Sequence, residues 1–185
     1  MVKRCSWADP KDPLYLAYHD NEWGIPVHDD PHLFEMLILE SFQAGLSWAC
    51  VLHKREAFRL ALDGFDPQII SRYSPEKVEE LMQNKDIIRN RRKISATIQN
   101  ARIFLDIQKE FGSFSNYLWH FTEGETVIYG DGIIRATSSL SDTISKDLKA
   151  RGMSFVGSTI IYAYLQAVGV INDHEACCDR CPFRR

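Results

Sequence analysis

Helix-capping side chains stand before proline or before an apolar repeat all along this chain, and the residues between them recur at helical spacing, so the sequence builds little but helices. Asp30 before Pro31 reads as an N-cap and first helical residue, opening a helix to about Ala44. Ser47 caps a second, with Trp48, Val51, Leu52, Phe58 and Leu62 as its apolar positions and Gly64 as its stop. Asp66–Pro67 and Ser74–Pro75 open two shorter helices, and the second runs into a turn at Asn84–Lys85–Asp86. A long helix is expected from about Asn90 to Phe111, with Ile94, Ile98, Ala101 and Leu105 on one face and Gly112 ending it. Residues 113–122 read as a short helix, Ser141 as the cap of one ending at Gly152, and TIIYAYLQAV as a last apolar helix ending at Gly169. Residues 124–139 lack helical period and are expected to form a loop or a minor hairpin. With no repeat, no low-complexity segment and no linker, an all-α, two-lobed single domain is expected.

At 185 residues the chain buries roughly 70% of the surface of its unfolded form and needs no staple to fold. No apolar run approaches the ~18–20 residues of a membrane-spanning helix, and the opening MVKRCSWADPKDP has no apolar stretch after its basic residues. A cytoplasmic, monomeric protein without membrane contact is the expectation. In that compartment the five cysteines point to metal or to buried thiols rather than to disulfides. The net charge of −3 excludes a broadly basic nucleic-acid binder. Basic residues cluster in one place only, at Arg89, Arg91, Arg92 and Lys93. They sit where a helix–turn–helix over 75–111 would present backbone N–H groups to a phosphate, although a solvated basic helix end would look the same.

Three constellations carry chemistry. His174, Cys177, Cys178 and Cys181 crowd the end of the chain, and Cys5 and His19 lie near its start. Thiolate and imidazole are zinc ligands, and spacing leaves open both a local site of His174, Cys178 and Cys181 and one joining the two ends. Glu40 falls inside the apolar stripe of the 31–44 helix: on a helical wheel centred on Leu33 it lies at about −20°, beside Ala44 at about +20° and Leu37 at about +40°. If the helix frays there, Glu40 is solvated. If it does not, a buried carboxylate requires a cation, several donors or a ligand. Around it in sequence stand Trp7, Tyr15, Tyr18, Trp23 and Trp48, suited to core packing and to stacking against a flat base.

Taken together, RCSWADPKDPLYLAYHDNEWG (4–24), LFEMLILESFQAGLSW (33–48), DIIRNRRKI (86–94) and FVGSTIIYAYLQAVGVINDH (155–174) resemble the 3-methyladenine DNA glycosylase I family over essentially the whole chain. The resemblance implies a helix-hairpin-helix glycosylase fold with a zinc site joining the N- and C-termini: a terminal lobe of about 1–30 and 115–185 and a helix-hairpin-helix lobe of about 31–114. It implies Cys5, His19, His174 and Cys178 as zinc ligands, Glu40 as the catalytic acceptor, and Tyr15, Tyr18, Trp48, Trp7 and Trp23 around the base. The implied partners are alkylated double-stranded DNA and free 3-methyladenine as product. The family lacks the activating aspartate after the hairpin and has no Schiff-base lysine, which implies a monofunctional enzyme that leaves the backbone intact. Two features depart from the pattern: Cys177 and Cys181 flank Cys178, and Asp86 stands where many members have glycine.

Methylation at N3 makes adenine cationic, so the N-glycosidic bond is weak and no acid need protonate the leaving base. The tasks left are to extrude the nucleotide and hold it. Leu46, in the AGLSW turn, is the expected apolar wedge into the stack, with Arg89, Arg91 and Lys93 expected on the DNA. The rival readings are a zinc-stabilised binder of damaged DNA and a pocket for a small cationic heterocycle.

Overall fold

The computed structural model describes residues 2–129 and 133–182. Ten helices are found among them: α1 (Pro13–Asn21), α2 (Asp30–Gln43), α3 (Trp48–Leu52), α4 (Arg55–Ala61), α5 (Pro67–Ile70), α6 (Pro75–Gln83), α7 (Arg91–Phe111), α8 (Phe114–His120), α9 (Ser139–Ala150) and α10 (Ser158–Ala167). The caps do what their chemistry dictates, since a side-chain oxygen satisfies the N–H groups left free at a helix start. Ser47, Asp66, Ser74, Asn90 and Ser113 each accept from the first turn of the helix they precede.

Four local expectations are corrected. Asp29, not Asp30, caps α2, its carboxylate accepting from His32 N, and Asp30 is the first helical residue. The single helix expected from 47 to 64 is broken after Leu52 into α3 and α4, and the break turns Arg55 inward to Glu22 and Glu35. Ser138 rather than Ser141 caps α9, and Ser141 completes a capping box by reaching back to the Ser138 N–H. Within the 124–139 stretch, β1 (Val127–Ile128) pairs in parallel with β2 (Ile171–Asn172), so the strand is no hairpin; residues 130–132 lie outside the described residues. A parallel partner must come from far along the chain, where local pattern does not reveal it. Helix α1 was not expected at all, because Leu14, Tyr15, Leu16 and Tyr18 form no single apolar stripe.

Helix α2 is the axis of the molecule. Leu33, Phe34, Met36, Leu37, Ile38 and Leu39 are all fully buried, and α3, α7, α8 and α10 pack around them. One continuous apolar cluster runs from Cys5 to Cys178 through this helix. Glu40 leaves the same helix into the cleft described next.

Candidate active site

A cleft of about 730 Å³ opens between α1, the end of α2, the start of α3 and the segment after α10. Asp12 caps α1 and places Tyr15 and Tyr18 three residues apart on one side of it. Tyr18 is buried and its ring meets that of Trp48, capped into α3 by Ser47, at 5.2 Å. Trp7 meets Tyr15 at 5.3 Å and Trp23 at 4.9 Å. All five aromatics line the cleft with Glu40.

Glu40 is only 2% exposed, so the helix does not fray and the stripe reading holds. Two buried side-chain polar atoms among the described residues lack a hydrogen-bond partner, Glu40 Oε2 and Trp48 Nε1, and both residues line this cleft. Burial pushes the Glu40 carboxyl up to about 8. Burial, and then the neighbouring Glu40, also raise Tyr15 and Tyr18 above the ordinary phenol range, which keeps both as O–H donors. The empty cleft is thus apolar-walled, with one acceptor and one donor unsatisfied.

The wall stands on a second cluster. Cys5, His19, His174 and Cys178, all buried, bring four ligand atoms within 4.8 Å of one another and could hold a metal ion. Cys5 Sγ lies 3.4 Å from His174 Nδ1, and Cys178 Sγ lies 3.6 Å from both His19 Nε2 and His174 Nδ1. A tetrahedral ion with arms of about 2.3 Å to sulfur and about 2.0–2.1 Å to nitrogen would set such S···N edges at about 3.5–3.6 Å. His19 Nδ1 pairs with Asp20 Oδ1 at 2.8 Å, which turns Nε2 inward. Arg4, hydrogen-bonded to Asp20, holds that carboxyl at about 2. Burial lowers His174 to about 4, leaving a neutral ring ready to ligate, and raises the Cys5 thiol, so that only a cation would make its thiolate favourable. Trp7 packs on His19 at 5.1 Å and Trp23 on His174 at 4.6 Å. Gly24 follows at φ 76, where an added Cβ would stand 3.0 Å from His174 Nε2. Of the flanking thiols, Cys177 is exposed and Cys181 is buried outside the cluster.

A family model described as methyladenine glycosylase matches residues 7–181. The chain belongs to the methyladenine glycosylase family. It is 45% identical over 180 residues to DNA-3-methyladenine glycosylase 1 of Escherichia coli, covering 96% of each chain. Its fold matches a crystal structure of 3-methyladenine DNA glycosylase I with a TM-score of 0.93 and 46% identity, over 97% of this chain and 100% of that one. A structure of the Staphylococcus aureus 3-methyladenine DNA glycosylase I, solved for 3-methyladenine recognition, matches with a TM-score of 0.89 and 33% identity over 98% and 96% of the two chains.

The remaining glycosylase residues from the sequence lie outside the cleft. Leu46 is 43% exposed on the turn between α2 and α3, where Gly45 takes φ 79. Arg89 is exposed before α7. Arg91 pairs with Glu79 across the α6–α7 turn, Nη2 donating to Oε2 at 2.8 Å. Lys93 is not on the surface with them: it is buried, and Nζ donates to the carbonyls of Phe42 at 2.8 Å and Ala44 at 2.6 Å. The start of α7 is already capped by Asn90. The connection from α9 to α10 differs, because Gly157 offers no side-chain cap to α10. That turn flanks a groove lined by Arg91, Arg92 and Lys149. Sequence reasoning missed Gln43, Gln166 and Asp173, which also line the cleft. Asp173 accepts from Tyr162 Oη at 2.8 Å and Gln166 Nε2 at 3.1 Å. Its one signal was its place beside His174 in the NDH run.

Proposed function

We propose that this protein is a monofunctional DNA-3-methyladenine glycosylase, a hydrolase that removes the alkylated base in base excision repair and leaves the DNA backbone uncut. One observation carries the reading: a fully buried carboxylate without a hydrogen-bond partner in an aromatic-lined cleft. The names of the relatives support the same substrate. On this reading the cleft lies between the terminal lobe (1–30 and 115–185), which brings Trp7, Tyr15, Tyr18 and Trp23, and the lobe of 31–114, which brings Glu40 and Trp48.

Discrimination follows from the state of Glu40. With its carboxyl at about 8, the empty pocket is mostly uncharged at neutral pH. Charge pairing with a cationic methylated base lowers the Glu40 pKa so that its proton is released to solvent, and the carboxylate then accepts hydrogen bonds from the base, each worth about 1.5–3 kcal/mol. Neutral adenine gains no such pairing, so it does not offset the cost of ionising Glu40 in an apolar site. The aromatic faces hold the ring, the glycosidic bond to the positively charged leaving group breaks, and water takes its place on the sugar.

Cys5, His19, His174 and Cys178 would hold one structural zinc ion, which supplies a cross-link between the chain ends and no chemistry at the base. Alkylated double-stranded DNA lies across the exposed corners, with Leu46 entering the stack and Arg89 and Arg91 near the backbone. The uncapped start of α10, beside Arg91, Arg92 and Lys149, is a better phosphate site than the start of α7, where Asn90 already takes the Lys93 N–H. The hairpin that grips the DNA is therefore placed at α9–α10 rather than α6–α7. A monomer suffices, since one chain supplies the whole cleft. Incubating the protein with N-methylated DNA and separating the products tests the reading: free 3-methyladenine with intact strands is expected. Tight binding of damaged DNA with no released base would instead make it a binder.

A further inference from the structure

Among the described aspartate, glutamate, lysine and arginine side chains, three are buried: Glu40, Arg55 and Lys93. Glu40 faces the cleft, and Arg55 has two carboxylates. Lys93 has no carboxylate partner among the described residues; burial lowers its pKa. Its own helix does not account for it either, since the third residue of α7 is where a helix dipole disfavours a cation. What Lys93 meets is the other end of α2, whose last carbonyls attract one. Nζ donates to Phe42 O and Ala44 O, and lies 5.9 Å from the centroid of the Phe155 ring.

These three contacts join two corners. Phe42 and Ala44 bracket the end of α2 and the start of the 44–47 loop, which carries Leu46 at its tip and leads to Trp48. Phe155 lies on the 151–157 turn with φ 58. Seven residues after Lys93, on the same face of α7, the fully buried Asn100 fastens that turn through Ser154, donating to its carbonyl and accepting from its N–H at 2.9 Å each. Helix α7 thus holds both corners from within.

We propose that Lys93 is a positioning residue for base extrusion: by holding the Phe42 and Ala44 carbonyls against the 151–157 turn, it sets where Leu46 stands relative to the DNA backbone. This rests on the reading of Leu46 as the wedge. Glu40 lies within the hydrogen-bonded body of α2 and Trp48 is capped into α3 by Ser47, so recognition of the extruded base is expected to depend much less on Lys93 than extrusion does.

A double-mutant cycle tests it, read by single-turnover excision of 3-methyladenine from duplex DNA and by titration with the free base. Lys93→Met and Leu46→Ala are each expected to slow duplex excision about 10- to 100-fold. The double variant should fall no more than about threefold below the worse single one, because both act on one step. Free-base affinity of Lys93→Met should stay within about twofold of wild type. Losses that multiply would overturn the inference while leaving Leu46 as the wedge. So would a tenfold loss of free-base affinity, which would place Lys93 in the pocket. Leu46→Ala with unchanged duplex excision would overturn the wedge reading and this inference with it. If Lys93→Met does not fold, the cycle is run with Lys93→Arg, which keeps the charge but changes the reach, under the same criterion.

Discussion

Helix α2 carries two inward acids five residues apart, and they are treated in opposite ways. Glu35 receives Arg55 at 2.6 Å and Arg59 at 2.8 Å, and Arg55 also binds Glu22 at 2.6 Å, tying α1, α2 and α4 together. Glu40 receives nothing on Oε2. A fold that can bring an arginine to one acid of a helix is able to bring one to the other, so the bare carboxylate is not a failure of packing. The Arg55 network pairs its buried charges, and the cysteine–histidine cluster gathers four groups that could hold a metal ion behind the wall. The Glu40 cleft leaves its groups open, at a cost in stability, for a ligand to complete.

Predictions that would break this contrast run from large effects to small. Removing the metal should act on the walls first. A clip between Cys5–His19 and His174–Cys178 closes nearly the whole chain, which is worth roughly 5 kcal/mol by loop-closure reasoning. Elemental analysis should give one zinc per chain, and chelation or His19→Ala should lower the melting temperature; metal-free protein with unchanged stability would remove the cluster from the comparison. Arg55→Met should destabilise by about 1–3 kcal/mol, because it leaves the partly exposed Glu22 without its cation and Glu35 with Arg59 alone. Urea unfolding measures this, and base affinity should barely change. A variant that kept its stability but lost the base would invert our assignment.

Glu40→Gln should do the reverse of both. The folded carboxyl titrates near 8, above the 4.5 of an ordinary glutamate. The wild-type protein is therefore penalised as pH rises above about 4.5, and the penalty is complete above about 8, on the order of 5 kcal/mol at most. The variant should melt higher at pH 8–9, and the two curves should meet near pH 5. Its affinity for 3-methyladenine should fall by about 2–4 kcal/mol, or ~30- to 1000-fold, in a direct titration. In the wild type that affinity should weaken by up to about tenfold per pH unit on acidification below 8, as the empty pocket gains a proton. The Gln variant should lack this slope. Equal dissociation constants for the two proteins would make Glu40 structural. The smallest effect is expected on the outside: Arg89→Ala should weaken binding to intact DNA a few-fold and leave free-base binding alone. The salt dependence of DNA binding should correspond to only about two to four phosphate contacts.

Much of this was legible in one dimension. Helix starts are local events, so Ser47, Asp66, Ser74, Asn90 and Ser113 could be read from the chain before any packing was known. Periodicity puts Glu40 on the apolar stripe of α2, but only its 2% exposure in the fold excludes a frayed, solvated end. The family motifs point to the four residues that converge where a metal ion could bind and to the aromatics that line the cleft. Where the reading slipped, the deciding contact was remote: Arg55 breaking a helix to reach Glu22 and Glu35, β1 pairing with β2 across the chain, or α1 held by the cleft it lines rather than by an apolar stripe.

Lys93 states the limit most plainly. In sequence it is one of four basic residues at a helix start, indistinguishable from Arg89 and Arg92, and charge alone sends all of them to a phosphate. The chain by itself determined most of its helix starts, the place of Glu40 on the apolar stripe of α2 and the presence of side chains able to bind a metal, since each depends on neighbours within a turn or on residue chemistry. Only the tertiary structure decided that Glu40 would have no cation and that four ligand atoms from both chain ends would converge. It also turned Lys93 inward to the carbonyls of α2. Each of those outcomes depends on which distant groups arrive within a few ångströms, and no local pattern carries that distance.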